Sequence, residues 1–363
     1  MARFVTFGEI MARLSPPGFL RLQQVLPGSL DVTFAGAEAN VAVSLAQLGA
    51  NVGVVTALPR NTLATACLST LRSLGVDTGG VVQSDVGRFG LYFVEAGANQ
   101  RPSRVEYDRS GSTISLTAAE QYDWETIFSG AKWLHVTGIT PALSRQAADA
   151  TMDAVRKAKD AQLNVSCDLN YRAKLWRWEE ETEPTELAGR VMRELLPFVD
   201  LLIANEADCG DVLGIRAGQS DLHSGSIDIE AYPDVARQVI SEFSNIRMIA
   251  TTLRQSISAS HNDWGAMLYD ATHDRALFAP QENGEFRPYE IRNIIDRVGG
   301  GDSFAAGLLF ALDSEEFPEL EDALRFAAAA SCLAHSVVGD FNYSSRAEID
   351  ALMGGSTSGR VVR

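Results

Sequence analysis

The sequence has few of the features that mark secreted, metal-binding or membrane proteins. Its four cysteines, Cys67, Cys167, Cys209 and Cys332, are far apart and form no CxxC pair. This excludes a zinc or disulfide framework and indicates small core residues. No apolar run reaches 18 residues, and the N-terminus becomes acidic too early for a signal peptide. We therefore expect a cytoplasmic protein with no membrane partner.

Positive charge is also scarce. The chain of 363 residues has a net charge of −16, and its only lysines are Lys132, Lys157, Lys159 and Lys174. Such a surface repels nucleic-acid phosphates and anionic lipids, so neither is an expected partner. Any anionic ligand must be bound by arginines or by the N-terminal ends of helices.

Three consecutive glycines precede a strongly apolar helical pattern near residue 300. Residues 296–304 read Asp-Arg-Val-Gly-Gly-Gly-Asp-Ser-Phe. Glycines at a helix N-terminus leave backbone N–H groups uncovered, which favours the binding of an anion. Asp302 lies inside this positive end, where a carboxylate suits either a proton acceptor or a helix cap. These residues alone leave both interpretations open.

A second loop of small residues opens a helix near residue 36. Gly36 and Ala37 precede the helical pattern, and Gly49 is a good C-terminal stop. Glu38 and Asn40 fall in the first turn, where they can complement the helix dipole and cap the helix. Alternatively, this helix end faces a polyhydroxy ligand, since an asparagine side chain both donates and accepts hydrogen bonds.

Strands and helices alternate from residue 131 onward. Strand-like runs at 133–136, 164–168, 200–204 and 247–252 are interspersed with helical stretches at 144–159 and 185–195. This alternation predicts βαβ units around a mostly parallel sheet. Ligands of such sheets gather at the carboxyl ends of the strands, where polar clusters occupy 168–172 and 205–208. His135, alone within a strand, is interpreted as a satisfied core residue.

Short extended segments in the first third of the chain fit a separate small sheet. Residues 11–33 contain extended fragments between prolines and glycines, and segments 90–95 and 104–107 flank a hairpin loop. The hairpin carries three arginines and two tyrosines, namely Arg101, Arg104, Arg109, Tyr92 and Tyr107. Arginines on a hairpin usually serve only for solvation, but in so acidic a chain they could form a positive site for a small acid.

Both helix starts occur together in the ribokinase (PfkB) family of sugar kinases, which this chain resembles up to about residue 345. The family signature is Asp-Thr-x-Gly-Ala-Gly-Asp, and Arg297 and Gly300 replace its threonine and alanine. Seven strings in the same order are similar to the 2-keto-3-deoxygluconate kinase branch of that family. They are residues 8–11, 14–18, 36–42, 101–104, 107–109, 168–172 and 339–342.

The resemblance implies a fold and a reaction. The fold is a ribokinase-like three-layer α/β/α sandwich with a mostly parallel central sheet and a small β-sheet lid. Residues 1–353 would form one kinase domain, with lid strands from about 11–33 and 80–108 and a flexible tail at 354–363. The reaction is phosphorylation of the terminal hydroxyl of 2-keto-3-deoxygluconate by ATP with Mg²⁺, giving 2-keto-3-deoxy-6-phosphogluconate. Exposed lid strands commonly pair across a two-fold axis, so we expect a homodimer through the lid.

The resemblance also implies residue roles. Asp302 would be the general base, and the N–H groups of Gly299, Gly300 and Gly301 would form an anion hole. The sugar acid would contact Gly36, Ala37, Glu38, Ala39, Asn40, Tyr92, Tyr107, Arg109, Arg172 and Asp340. ATP would contact Asn170, Asn205, Thr252, Arg254, Gly299 and Gly301, and Mg²⁺ would lie near Glu206 and Asp208, bound through water. A keto acid's carboxylate favours guanidinium groups, which a neutral sugar would not need.

Three other functions are alternatives. Another PfkB kinase acting on fructose, ribose or a related deoxy-keto acid would share the same motifs. A non-catalytic sugar-acid sensor would need neither Asp302 nor the three glycines. A dinucleotide-binding oxidoreductase would need G-x-G-x-x-G after the first strand, and the sequence has no such motif there.

Overall fold

A nine-stranded sheet forms the centre of the protein in the computed structural model, which describes residues 4–216, 229 and 231–355 apart from the Glu206 side chain. The strands are β1 (Phe4–Phe7), β2 (Met11–Ser15), β3 (Asp31–Ala35), β4 (Val52–Val55), β5 (Ala57–Pro59), β6 (Val82–Ser84), β7 (Gly90–Glu95), β8 (Arg104–Asp108), β9 (Trp133–Thr137), β10 (Asn164–Asp168), β11 (Leu201–Ala204), β12 (Met248–Ser258), β13 (His261–Asp270), β14 (Arg275–Ala279), β15 (Gln281–Glu282), β16 (Glu285–Phe286) and β17 (Tyr289–Arg292).

Helices connect most of these strands. They are α1 (Leu22–Val25), α2 (Ala37–Gln47), α3 (Thr62–Ser73), α4 (Thr113–Leu116), α5 (Trp124–Phe128), α6 (Arg145–Asp160), α7 (Pro184–Leu195), α8 (Glu206–Leu213), α9 (Tyr232–Glu242), α10 (Gly300–Asp313), α11 (Leu320–Ala334) and α12 (Arg346–Met353). Single 3₁₀ turns lie at Ala119–Gln121 and Leu196–Phe198. Among the described helices, none combines the length and the apolar character needed to span a bilayer.

The central sheet is mostly parallel, as the alternation of strands and helices predicts. Its order is β14-β13-β12-β11-β10-β9-β1-β4, with β17 also paired to β13. The pairs from β12 to β4 are all parallel, whereas β13 pairs antiparallel with β12, β14 and β17. Every residue of β1, β4, β9 and β11 is buried, which fits strands that are covered on both faces.

Helices cover both faces of the sheet, so the protein has three layers. Successive residues of β1 point to opposite faces: Phe4 belongs to the apolar cluster that includes α2, α3, α10 and α11, and Val5 belongs to the cluster that includes α6, α7 and α9. The amphipathic pattern of α6 is typical, because Ala147, Ala150 and Ala154 recur on its buried face. This architecture is the expected α/β/α sandwich of the ribokinase-like fold.

A small sheet stands apart from the central one. It has the order β3-β2-β7-β8 and is built from the two segments in which the sequence predicts extra strands. Met11, Ala35, Tyr92 and Val94 form its buried apolar face. Because β2 follows directly after β1, the small sheet is attached at the carboxyl end of a central strand.

Several elements are absent from the sequence-based prediction. The helices α5, α8, α9 and α12 are short or polar, so their periodicity is weak, and β12 continues six residues beyond Thr252, where it pairs with β13. Asn205 and Asp208, interpreted only as a polar cluster, form the capping box that starts α8. Most of the predicted flexible tail, from residue 356 onward, lies outside the described residues.

Candidate active site

A cavity of about 560 Å³ opens at the carboxyl ends of the parallel strands, between the central sheet and the small sheet. The structure brings most of the predicted site residues to its wall. They are Gly36, Ala37, Asn40, Tyr92, Tyr107, Arg109, Asn170, Arg172, Asn205, Asp208, Thr252, Arg254, Gly299, Gly300, Gly301, Asp302 and Asp340. This position agrees with the general rule for ligands of open α/β sheets.

The glycine run forms the N-terminus of α10. Gly299 has a φ of +84°, and a Cβ at this position would lie 2.3 Å from the carbonyl oxygen of Asp340. Both the conformation and the close approach therefore require glycine. Ser303 N–H donates the first bond of the helix, to the Gly299 carbonyl at 2.9 Å. The N–H groups of residues 300–302 thus have no carbonyl within the helix to bond, and this end of α10 is suited to bind an anion.

The carboxylate of Asp302 lies at the wall of the cavity, beside these N–H groups. Its Oδ2 accepts a hydrogen bond of 2.6 Å from Asn40 Nδ2. Helix α10 has Gly299 as its N-cap and no side-chain capping bond, so Asp302 is not the helix cap. Burial raises the pKa of Asp302 to about 6, although the bond from Asn40 and the charge of Arg172 oppose this rise. A carboxylate that is ionised at neutral pH yet unusually basic suits a general base.

The loop before α2 places Asn40 for this contact. Asn40 N–H donates to the Gly36 carbonyl at 2.7 Å, and Gly36 N–H donates to Asn40 Oδ1 at 3.3 Å. The side chain therefore joins the start of α2 to the N-terminal end of α10. Asn40 thus binds the backbone at the start of α2 and also lines the cavity, so the prediction that it contacts a ligand stays a prediction.

Glu38 and Ala39 are buried and do not reach the cavity wall. Glu38 accepts hydrogen bonds from the hydroxyls of Thr137 at 2.7 Å and Thr140 at 3.1 Å, which joins α2 to the end of β9. Burial raises its pKa to about 7. Ala39 packs in the apolar core. Neither side chain is therefore placed to make the predicted contact with a sugar acid bound in this cavity.

Only one of the three hairpin arginines reaches the cavity. Arg104 is exposed, and Arg101 donates to the carbonyl of Phe19. Arg109 is 8% exposed, lies 5.3 Å over the ring of Tyr107 and forms a buried ion pair with Glu9. Its Nε has no hydrogen-bond partner among the described residues. Arg109 is therefore the hairpin arginine that contributes to the cavity wall.

Strands β10 and β11 end in the polar clusters that the sequence indicates. Asn205 Oδ1 accepts from the N–H groups of Ala207 and Asp208 at 2.9 and 3.0 Å, so it caps α8. Burial raises the pKa of Asp208 to about 6, and burial with the nearby charges of Asp208 and Asp302 raises that of Asp168 well above its usual range. The Glu206 side chain lies outside the described part of the chain. Within that part, no group of three acidic, His or Cys side chains is arranged to hold a metal ion.

Sequence reasoning missed several residues of this site. Arg13 forms buried ion pairs with Asp296 and Asp340. Arg13 lies two residues after Met11 in the same strand, so both side chains point to the buried face of the small sheet. This spacing was the signal that could have identified Arg13 as buried. Trp264 and His335 are in contact near Gly300, with ring centroids 4.8 Å apart. No motif marks them, because they come from elements distant in the chain.

Arg297, which departs from the general family signature, anchors the glycine loop to the β12–β13 turn. Its guanidinium donates to the carbonyls of Ser258 and Ala259 and to Asn262 Oδ1. His135 is buried, as expected for a core residue, but it is only half satisfied: its Nδ1 lies 2.9 Å from the hydroxyl of Ser166, and its Nε2 has no partner among the described residues.

Comparison with known proteins adds an independent observation. The model of the pfkB family carbohydrate kinases matches residues 1–242 and 265–345. The crystal structure of a 2-dehydro-3-deoxygluconokinase from Thermotoga maritima is 43% identical, with a TM-score of 0.87, and the match covers 98% of this chain and 100% of that one. A PfkB family carbohydrate kinase from Listeria grayi is 32% identical, with a TM-score of 0.84 and coverage of 97% and 99%. A 2-dehydro-3-deoxygalactonokinase from Haloferax volcanii is 30% identical over 358 residues, 99% of this chain and 98% of that protein.

Proposed function

Because the chain belongs to the pfkB family of carbohydrate kinases, we propose that it transfers the terminal phosphoryl group of ATP to the terminal hydroxyl of 2-keto-3-deoxygluconate. The product is 2-keto-3-deoxy-6-phosphogluconate. Relatives that match nearly the whole chain are named as kinases of 2-dehydro-3-deoxy sugar acids, which are the same class of compound. The observation that carries the proposal is Asp302 at the uncovered end of α10, in one cavity with Arg109 and Arg172.

The arginines support an acidic substrate. Arg109 Nε is buried and has no partner among the described residues, and such a donor is costly unless a ligand satisfies it. A carboxylate is the natural partner, because charge-assisted hydrogen bonds to guanidinium are stronger than neutral ones. Arg172 is exposed at the cavity wall and can attract the same group. A neutral sugar would leave both guanidinium groups without this partner.

The chemistry follows from the end of α10. Asp302 accepts the proton of the substrate hydroxyl as its oxygen bonds to the γ-phosphorus, while the bond from phosphorus to the bridging oxygen breaks and ADP leaves. The N–H groups of residues 299–301 stabilise the charge on the transferring group. Phosphoryl transfer depends mainly on such positioning and electrostatic stabilisation. Losing one oriented donor of this kind costs roughly 10²–10³ in rate in other enzymes.

The other end of the cavity suits a nucleotide with Mg²⁺. Asn170, Asn205, Thr252 and Arg254 also line the cavity, and we assign them to the triphosphate and its nucleoside. The oxygen-rich chemistry around Asp208 fits Mg²⁺, which keeps several waters and binds through one or two carboxylates together with phosphates. Asp208 and Glu206 would hold it through water, and the ion would neutralise charge on the phosphates.

We also propose that the protein acts in the cytoplasm, because it uses ATP.

We propose further that the protein is a homodimer in which the small sheets of the two copies meet. Large apolar side chains are exposed on the segments that form this sheet and its connections: Phe19 at 49%, Leu20 at 41%, Leu26 at 49% and Val32 at 54%. Exposed apolar groups in a cluster commonly mark an interface. Light scattering should give twice the chain mass, and Val32→Asp should give a monomer; a monomeric parent protein would refute this assembly.

An ADP-coupled assay on an acceptor panel tests the proposed function. The panel contains 2-keto-3-deoxygluconate, its galactonate epimer, fructose and ribose, each with ATP and Mg²⁺. We expect the highest kcat/KM for one of the two keto-deoxy acids. A preference for fructose or ribose would assign another sugar kinase of the family, and binding of the keto acid without ADP formation would indicate a sensor. Either result would overturn the proposal.

A further inference from the structure

A buried arginine from the small sheet lies between two carboxylates that belong to loops beside the glycine run. Arg13, on β2, is 3% exposed. Its Nη2 lies 2.5 Å from Asp296 Oδ2, and its Nη1 lies 2.7 Å from Asp340 Oδ1. The neighbouring strand contributes Tyr92, whose hydroxyl donates to Asp340 Oδ2 at 2.6 Å. Both carboxylates lie in loops outside the small sheet and are thus bound by side chains of that sheet.

Asp296 fixes the backbone that leads into the glycine run. Its Oδ1 accepts from the N–H groups of Arg297 at 2.8 Å and Val298 at 3.2 Å. Its Oδ2, which also binds Arg13, accepts from Gly339 N–H at 3.2 Å. The same carboxylate therefore holds the chain before residue 299 and the chain before residue 340.

Asp340 determines the other side of the glycine run. Its carbonyl oxygen lies so close to Gly299 that a Cβ there would be 2.3 Å away. The backbones of residues 340 and 299 are therefore so close that residue 340 cannot shift toward residue 299 without displacing it. Because Arg13 binds Asp296 and Asp340 together, it fixes the separation of the two segments that enclose the N-terminus of α10.

Arg13 is not among the residues that line the cavity, so it acts through these two carboxylates and not on a bound ligand. Burial raises the pKa of Asp340, and the charge of Arg13 opposes this rise. If Arg13 is replaced by a neutral side chain, two carboxylates remain buried without a counter-charge, and this is strongly unfavourable. The segments would then separate, take up protons or admit water.

We propose that Arg13 is a positioning residue for phosphoryl transfer, which holds the N–H groups of residues 299–301 in their productive arrangement only while the small sheet is seated over the cavity. The inference rests on the proposed function in that these N–H groups are assigned to the transferring phosphoryl group. Misplacement of such groups by about 1 Å costs roughly 10²-fold in rate. Seating of the small sheet and assembly of the catalytic end of α10 are therefore one event.

The test compares Arg13→Met, Arg13→Lys and Arg13→Ala with a matched control, Arg88→Met. Arg88 forms a two-point ion pair with Asp108, at the end of β8 of the small sheet, at 2.5 and 2.7 Å, but this pair is exposed and does not line the cavity. For Arg13→Met we expect kcat to fall about 10²-fold, while KM for ATP and for the acceptor changes less than about threefold. Arg13→Lys should recover part of kcat, and millimolar guanidinium should partly restore Arg13→Ala. Arg88→Met should behave as the parent enzyme.

Amide hydrogen exchange supplies a readout that needs no substrate. In Arg13→Met, exchange should accelerate in residues 297–303 and 337–341 and stay unchanged in α6. An unchanged kcat, or exchange that is accelerated equally throughout the protein, would overturn the proposal. If Arg13→Met does not fold, the lysine variant gives the same two readouts. A parent enzyme that fails to phosphorylate a keto-deoxy acid would refute the proposed function, while the exchange comparison would still decide the role of Arg13.

Discussion

Replacement of Asp302 by asparagine should inactivate the enzyme and stabilise it at the same time. Asparagine has the same shape and can still accept the hydrogen bond from Asn40, which is 2.6 Å long in the parent protein. The change therefore removes a negative charge and a proton acceptor with little change in packing. General-base catalysis typically accelerates a reaction about 10²–10⁴-fold, so kcat should fall at least about 10²-fold.

The stability gain follows from the pKa of Asp302. Burial raises this pKa from 3.8 to about 6, so the folded state binds the proton more tightly than the unfolded state does. A raised carboxyl pKa costs stability once the pH exceeds the unfolded value, and the cost is complete above the folded value. The linkage relation gives a cost of about 3 kcal/mol at pH 8 and about half of that at pH 5. Asp302→Asn should recover these amounts.

Thermal unfolding of the ligand-free proteins measures this gain. With about 2.1 cal/mol/K of unfolding entropy per residue and 363 residues, 3 kcal/mol corresponds to about 4 °C. The asparagine variant should therefore unfold about 4 °C above the parent at pH 8 and about 2 °C above it at pH 5. In the parent enzyme, kcat/KM should decline as the pH falls below about 6. An active variant would refute the base assignment, and a lower Tm at pH 8 would refute the electrostatic reasoning.

Three further substitutions test other parts of the site. Gly299→Ala should lower both Tm and kcat, because a Cβ would lie 2.3 Å from a backbone oxygen. Gly301→Ala should keep the parent Tm, because no atom lies within 4 Å of its Cβ. Equal Tm values for the two variants would contradict this reasoning. Arg109→Ala should raise KM for the keto acid about tenfold or more through loss of a charge-assisted bond, with exposed Arg104→Ala unchanged; an unaltered KM would remove Arg109 from carboxylate binding. Asp208→Asn should raise the Mg²⁺ concentration for half-maximal rate about fivefold or more, measured by titration in the same assay, and an unchanged titration would place the ion elsewhere.

The sequence, together with its resemblance to a known family, was sufficient to predict the fold class and most of the cavity wall. Alternating strands and helices predicted the parallel sheet, and strand ends predicted where polar groups such as Asn170 and Asn205 would gather. These patterns are local, and local patterns identify elements and their ends well. The short helices α5 and α12 went unpredicted because a single turn or two carries little periodicity.

The side-chain pairing in the site could not be predicted, since it depends on contacts between distant parts of the chain. Glu38 and Asn40 both lie near the start of α2. The carboxylate of Glu38 nevertheless points into the protein and binds Thr137, whereas Asn40 lines the cavity. Nothing in adjacent sequence separates these two directions. The partners of Arg13 are likewise 283 and 327 residues away.

The pairing also changes how an acidic protein can select an acidic substrate. Arg109 is already paired with Glu9, so under the proposed function it would contribute the direction of its donors more than a net positive charge. Arg172 is exposed and offers charge that water and salt screen. Under the proposed function, discrimination against neutral sugars would rest mainly on a buried donor, because leaving such a donor unpaired costs about 1–3 kcal/mol. The net charge of −16 is therefore no obstacle to binding a sugar acid.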